Sequence, residues 1–221
     1  ASYVADARFN WWGDSSGPMH SSNSGGKGDA ISDNVDYSPW LGATFATTPR
    51  TYHVNPSGAP GAIQEAIDEA SPGDTIVVHD GTYYENIVVN KPLTITSASL
   101  PIIDGGAAGD CITVSSNNVV INGFEIRNGY NGIIGETDGS TFSNNIIHDN
   151  LNIPGYAGVG ILLWGDNDNN IITGNEIYNN DRQGIFVGYS DDSKISTGNT
   201  ITYNTIYNNG LYRYANGPDA S

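Results

Sequence analysis

Basic residues are scarce. Eight Lys and Arg stand against 24 Asp and Glu, a formal net charge of −16. Such a surface repels phosphate backbones and anionic headgroups, which excludes charge-driven binding to nucleic acid or an anionic membrane. Polyanionic polysaccharides are disfavoured too, unless a cation bridges them. Cysteine is nearly absent: the single Cys111, in the apolar context DCITV, rules out an internal disulfide and reads as a buried residue. A catalytic thiol would want a histidine partner, and none is close in sequence. Hydrophobic runs long enough to span a membrane are missing, so no membrane insertion is expected. No signal peptide is visible, and the abrupt start at Ala1 is expected to reflect processing or excision. The N-x-S sequence at residues 55–57 is blocked as a glycan acceptor by Pro56. The four histidines include no pair at zinc spacing.

What the chain does have is turn residues, with 28 Gly, and aromatic residues, with 13 Tyr against 5 Phe. Only 14% of residues are charged, a polar β profile rather than a disordered one. One phrase recurs: NVVINGFEIRN at 118–128, STFSNNIIHDN at 140–150, NIITGNEIYNN at 170–180 and NTITYNTIYNN at 199–209. A second phrase follows the first three copies: NGII at 131–134, VGILL at 159–163 and QGIFV at 183–187. Self-similarity at this period means a repeat architecture. Within a copy, short period-2 segments alternate with Asn/Gly breaks, so each copy predicts three short strands rather than a helix. Alignment puts Ile126, Ile147, Ile177 and Ile206 in one interior stripe. It puts Phe124, Asn145, Asn175 and Asn204 at one corner, where the three asparagines are expected to form an amide ladder. The fold class is all-β, a right-handed parallel β-helix of seven or eight rungs, its hand taken from the general crossover rule. Equivalent isoleucines lie 21, 30 and 29 residues apart, so surplus residues near 151–158 and 188–197 read as surface loops.

Residues 1–45 are loop-rich and bracketed by Trp11, Trp12 and Trp40, large aromatics of the kind that cover the exposed end of a core. Their NWWGDSSGP and VDYSPWL resemble the closing segment that follows the last rung in right-handed β-helix repeat proteins of prokaryotic surfaces. Residues 46–60 read as a linker, and 61–70 (GAIQEAIDEA) as one amphipathic helix with Ile63, Ala66, Ile67 and Ala70 on one face. Strands are expected at 75–79, 85–89 and 93–96. The run from AIQEAIDEASPGD through GTYYENIVVNKPLTITS resembles the opening of the pectin-lyase-like superfamily, in which such a helix covers the N-terminal end of the solenoid. The resemblance therefore implies a closing segment placed ahead of an opening one, with the β-helix occupying 61–221. Two arrangements follow: residues 1–45 cap their own chain or a neighbouring copy joined head to tail, or the chain is cut from a longer tandem protein. Tyr203, Tyr207, Tyr212 and Tyr214 crowd the far end and are expected to sit on the rung surface or to meet the Trp-rich segment of a neighbour. Both arrangements imply an extracellular or cell-surface object that builds a filament or a layer.

The superfamily resemblance also implies polysaccharide lyases and hydrolases. Of the hydrolase series N-T-D, D-D, G-H-G and R-I-K only a D-D is present, at Asp191–Asp192. A lyase would use calcium and an Arg or Lys base, but Arg127 and Arg182 sit in no lyase motif, so no catalytic set is assigned. The acidic corner that follows the Gly–Ile step collects Glu136, Asp138, Trp164, Asp166, Asp168, Tyr189, Asp191 and Asp192. Three readings stand for it: solvated turns on an acidic protein, a calcium site on Asp138, Asp166, Asp168, Asp191 and Asp192, or a sugar-binding face on Trp164 and Tyr189. No cofactor is required by any of these residues, with calcium the one candidate.

Overall fold

The computed structural model describes residues 4–46, 48–56, 61–151, 158–188 and 195–210. Its order is set by strands of two to four residues that turn at every corner and pair with the rung above and below. Three parallel sheets result. A five-stranded sheet runs through Ile87–Val89, Ile112–Val114, Ile133–Gly135, Ile161–Trp164 and Ile185–Gly188. A six-stranded sheet runs from Thr82–Tyr83 through Ile102–Asp104, Glu125–Arg127, Ile146–His148 and Glu176–Tyr178 to Thr205–Tyr207. The eight-stranded sheet ends at Thr200–Thr202 and begins at Trp40–Leu41, the one strand in it that pairs antiparallel. The register stacks like on like: Ile126, Ile147, Ile177 and Ile206 are Cα partners in one stripe, and Ile112, Ile133, Ile161 and Ile185 in another. These stripes fill the interior, and apolar burial along them is the main stabilising term.

The corners follow one rule. A residue in the left-handed region turns the chain, and the next residue offers a side-chain oxygen to the N–H of the rung before it. Asn144, Gly174 and Tyr203 make this turn ahead of Asn145, Asn175 and Asn204. The N–H groups of Phe124, Asn145 and Asn175 donate to the Oδ1 of Asn145, Asn175 and Asn204 at 3.1, 3.0 and 3.0 Å. This is the ladder expected from the repeats. Two more exist. Gly129, Asn150 and Asn180 donate in the same way to Asn150, Asn180 and Asn209 at 3.0, 3.3 and 3.1 Å. Val119, Ser140 and Asn170 donate to Ser140, Asn170 and Asn199 at 2.9, 2.8 and 2.9 Å. All three corners of a rung are thus tied to the next by buried, satisfied polar groups, which a short rung with little core of its own requires.

The N-terminal end is closed by the helix Ala62–Glu69. Its Gly61 N-cap has no side chain to offer, and a later turn of the solenoid supplies the cap. Buried Glu85 accepts from the N–H groups of Ile63 and Gln64 at 3.2 and 3.1 Å. Lys91 Nζ donates to the carbonyls of Ile67, Asp68 and Ala70 at 2.9, 2.7 and 2.8 Å, serving the opposite helix end. Both placements suit the helix dipole.

Residues 4–45 lie on this same end of their own chain, not against the last rung. Residues 46–60, expected as a linker, contain the strand Thr51–Val54, which pairs with Trp40–Leu41 on one side and Thr75–Val78 on the other. The linker reading fails there because Tyr52 and Val54 are apolar residues facing the core, a period-2 signal hidden among Thr and Pro. Among the described residues no helix is long and apolar enough to cross a membrane.

Candidate functional site

Four surfaces carry chemistry. The first is the acidic corner after the five-stranded sheet. Asp138 and Asp168 are brought together there, but as another column of bonds between rungs. Asp138 Oδ1 accepts the Asp168 N–H at 2.8 Å, and Asp168 Oδ1 accepts the N–H and hydroxyl of Thr197 at 2.6 and 2.8 Å. Asp138 Oδ2 accepts from the Asn117 side-chain amide at 3.2 Å, so the oxygens named here already bind groups of neighbouring rungs, while Asp166 is exposed. Among the described residues no group of three or more His, Cys, Asp or Glu is arranged to hold a metal ion. Asp191, Asp192 and Tyr189 lie outside the described residues. Trp164 is 41% exposed and stacks on Phe186 with ring centroids 5.6 Å apart. Its register partner is Gly188, which has no side chain to compete for that space.

The second surface is the N-terminal clasp. Trp40 is fully buried, and its indole Nε1 donates to the Ser15 carbonyl at 3.2 Å. Its ring covers His53 and His79, at centroid distances of 5.4 and 5.1 Å, while the two imidazoles meet at 3.1 Å between Nδ1 and Nε2. Burial, with His79 alongside, lowers the His53 pKa to about 4, and burial lowers that of His79 as well. Trp11 packs against the core, and Trp12 is half-buried with its indole N–H unpartnered among the described residues. Arg8 bridges the segment to the helix through Glu65 and is held also by Asp6 at 3.0 Å. The three tryptophans assigned to capping therefore engage their own chain. The two histidines were not singled out by sequence. His53 and His79 lie 26 residues apart, and the ring that unites them arrives from outside the repeats.

The third surface is the outer face of the six-stranded sheet. His148, Tyr178 and Tyr207 are register partners whose rings stack at 4.8 and 5.1 Å, nearly parallel. Below them Arg127 is held by Asp104 at 3.1 Å and Glu125 at 2.8 Å. Burial opposes the Arg127 charge, but the two carboxylates outweigh it and raise its pKa, so it cannot serve as a neutral base. Cys111 is fully buried, its thiol donates to the Arg127 carbonyl at 3.1 Å, and burial pushes its pKa up to about 12. It is inert packing, as expected.

The fourth surface is the last described rung. The N–H groups of Asn199, Asn204 and Asn209, which the ladder rule would bond to a following rung, have no partner among the described residues. Ile201 and Ile206 are 46% and 47% exposed although their equivalents below are buried. Tyr203 holds a left-handed φ of 57° where the rungs below place Asn or Gly, and it is 91% exposed. Tyr212 and Tyr214 lie outside the described residues.

Residues 78–217, more than half of the chain, match the family described as the right-handed β-helix region. The cell surface glycoprotein of Methanothermus fervidus is 46% identical over an alignment of 91 residues that covers 39% of this chain and 15% of that protein. The crystal structure of alginate lyase from Paenibacillus sp. str. FPU-7 superposes with a TM-score of 0.57 at 23% identity. That superposition covers 67% of this chain and 56% of the lyase, and it shows a shared fold. The chain thus spans only a small part of the curated relative and about half of the structural neighbour.

Proposed function

The chain belongs to the right-handed β-helix family, and from that premise we propose that it is a structural segment of an extracellular, cell-surface protein, a short rod extended end to end. The last described rung carries this reading. Three amide ladders, two isoleucine stripes and an aromatic stack all reach it, and among the described residues nothing fills their outer partner positions. Open strand edges of this kind template further β-structure. Tyr203 adds weight, because a bulky residue kept in a strained conformation and left exposed is a hallmark of a contact site. In the arrangement proposed, residues 4–45 of one unit lie between their own cap helix and the last rung of the unit before. The units either follow one another in a single polypeptide or are copies of this chain joined head to tail. The resemblance to a surface glycoprotein much longer than this chain supports the setting.

The test is the Tyr203→Asn variant. Asn tolerates the left-handed corner, so the variant is expected to gain about 1 kcal/mol in unfolding free energy. The parent should sediment as larger species with rising concentration, and the variant as a monomer throughout. An unchanged association in the more stable variant would remove the contact role.

A second reading, contact with a polysaccharide, is supported by the exposed Trp164 ring beside Asp166. An aromatic face with a nearby carboxylate suits a sugar, which stacks one face and donates its hydroxyls. On a glycan array this reading expects a signal from the parent that Trp164→Ala abolishes. A blank array, or one that the substitution leaves unchanged, would count against it. Lyase or hydrolase activity gains no support from the described cations.

A further inference from the structure

The N-terminal clasp holds a second cluster that covering the solenoid does not require. His20 and Asn23 bridge antiparallel across a tight turn, and Ser22 stands in that turn. The Ser22 hydroxyl meets His20 Nδ1 at 2.7 Å and the hydroxyl of buried Tyr37 at 2.8 Å, and His20 Nε2 meets Asp33 Oδ1 at 3.1 Å. One placement of protons satisfies this chain with a neutral imidazole. The Asp33 carboxylate only accepts, so His20 carries its hydrogen on Nε2 and turns the Nδ1 lone pair to Ser22. Ser22 then donates its single hydroxyl hydrogen to His20, its own N–H shares that lone pair at 3.3 Å, and Tyr37 donates to Ser22 Oγ. Serine, base and orienting carboxylate thus stand in the order of an acyl-transfer triad, with Nδ1 rather than Nε2 facing the serine.

Ser22 lines a cavity of about 460 Å³. The opposite wall is built by successive turns of the solenoid at Asn55, His79 and Ser99, each just past a strand of the eight-stranded sheet. The cavity therefore lies on the flank of the molecule, clear of the end-to-end contact. The loop that carries the serine is held in place. Asn23 Nδ2 donates to the carbonyls of Ser16 and Pro18, each at 2.9 Å, and Asn55 Nδ2 donates to the Ser22 carbonyl at 3.3 Å. Ser24 and Gly25 line the cavity beside Ser22, and their N–H groups have no hydrogen-bond partner among the described residues. Two free backbone donors next to a nucleophile are what a developing oxyanion needs.

We infer that Ser22 is the nucleophile of an esterase site whose substrate is a short acyl ester of a neutral polyol. Ser22 Oγ attacks the ester carbonyl carbon while its proton passes to His20 Nδ1. The oxyanion is met by the N–H groups of Ser24 and Gly25, and Asp33 steadies the imidazolium. His20 returns the proton to the leaving alcohol as the C–O bond breaks, which leaves the acyl group on Ser22. Water, giving a proton to His20, then cleaves that acyl group and the serine hydroxyl is restored. The sum is ester plus water to acid plus alcohol, with no other reagent. Size and charge choose the substrate. The cavity is of small-molecule size, walled by hydroxyl and amide groups that match a polyol. Asp80 adds a carboxylate on a chain of net charge −16, so a neutral ester enters and the anionic acid is repelled. The inference goes beyond the structural reading and does not depend on it.

Hydrolysis of 4-nitrophenyl acetate and labelling with a fluorophosphonate test it. Ser22 is exposed, so Ser22→Ala should fold as the parent does, which equal unfolding midpoints check. The parent should hydrolyse the ester with a kcat/KM at least about a hundredfold above that of Ser22→Ala or His20→Gln. The fluorophosphonate should lose fluoride to Ser22 Oγ and spare Ser16 and Ser24 of the same cavity, as read by peptide mass spectrometry. Asp33 touches His20 and acts as a positioning residue, so Asp33→Asn should lower kcat and leave KM unchanged. A parental rate in Ser22→Ala, a parent that takes no label, or a label shared equally with Ser16 and Ser24 would overturn the site. An unchanged kcat in Asp33→Asn would overturn the triad.

Discussion

Replacing Asn175 with Ala should lower the unfolding free energy by about 4 kcal/mol, a large loss for a polar residue at a rung corner. Asn175 is buried at the middle of its ladder. Its Oδ1 accepts both the N–H and the side-chain amide of Asn145, at 3.0 and 3.1 Å. Its Nδ2 donates to the Phe142 carbonyl and to Asn204 Oδ1, each at 2.9 Å. Alanine leaves at least two of these groups buried and unpaired, at about 1–3 kcal/mol each. The same change at Asn204 should cost less than half as much, because Asn204 is only half-buried where Asn175 is fully buried. Guanidinium unfolding followed by circular dichroism measures both. A loss at Asn175 no larger than at Asn204 would mean that the ladder does not hold the rungs together.

Acid should loosen the N-terminal clasp before the rest of the solenoid. Above pH 6.5 His53 is neutral in both the folded and the unfolded chain, so stability is flat there. Below 6.5 the unfolded chain takes up a proton that the folded chain refuses until about pH 4. Stability is therefore lost as pH falls through that window and levels off beneath it, by about 3 kcal/mol in total. His79, lowered in the same direction by burial, adds to the loss. The groups facing the pair are Trp40, which stacks on both rings, and the Tyr83 hydroxyl, which donates to the His79 carbonyl at 2.9 Å. His53→Phe keeps a ring under Trp40 and removes the proton site. The difference in unfolding free energy between pH 7 and pH 4.5 should shrink in this variant by most of that amount. An identical pH dependence in parent and variant would show that the clasp does not titrate.

How much of this was legible in the sequence depended on where each interaction begins. The solenoid was readable because its signal is local and repeated: Ile126, Ile147, Ile177 and Ile206 declare one stripe by recurrence alone. One amide ladder was readable for the same reason. The other two escaped because their first members are Val119 with Ser140 and Gly129 with Asn150, residues that do not look alike until the register is known. At the acidic corner calcium stood as one of three readings, because spacing reports proximity but not what each oxygen already binds. Asp138 and Asp168 turned out to be committed to the neighbouring rungs. The Trp40 clasp joins residues on two strands and one just past a third, across two different kinds of segment, and the pairing of Trp40–Leu41 with Thr51–Val54 is antiparallel where the rungs beside it pair in parallel. No local pattern announces that.

Negative-stain electron microscopy of the intact chain, imaged beside Tyr203→Asn, is the most direct measure of the central claim. The account predicts rods built from short units joined along the solenoid axis in the parent, and single short units in the variant. Single units in both at every concentration, or rods of equal length in both, would contradict it.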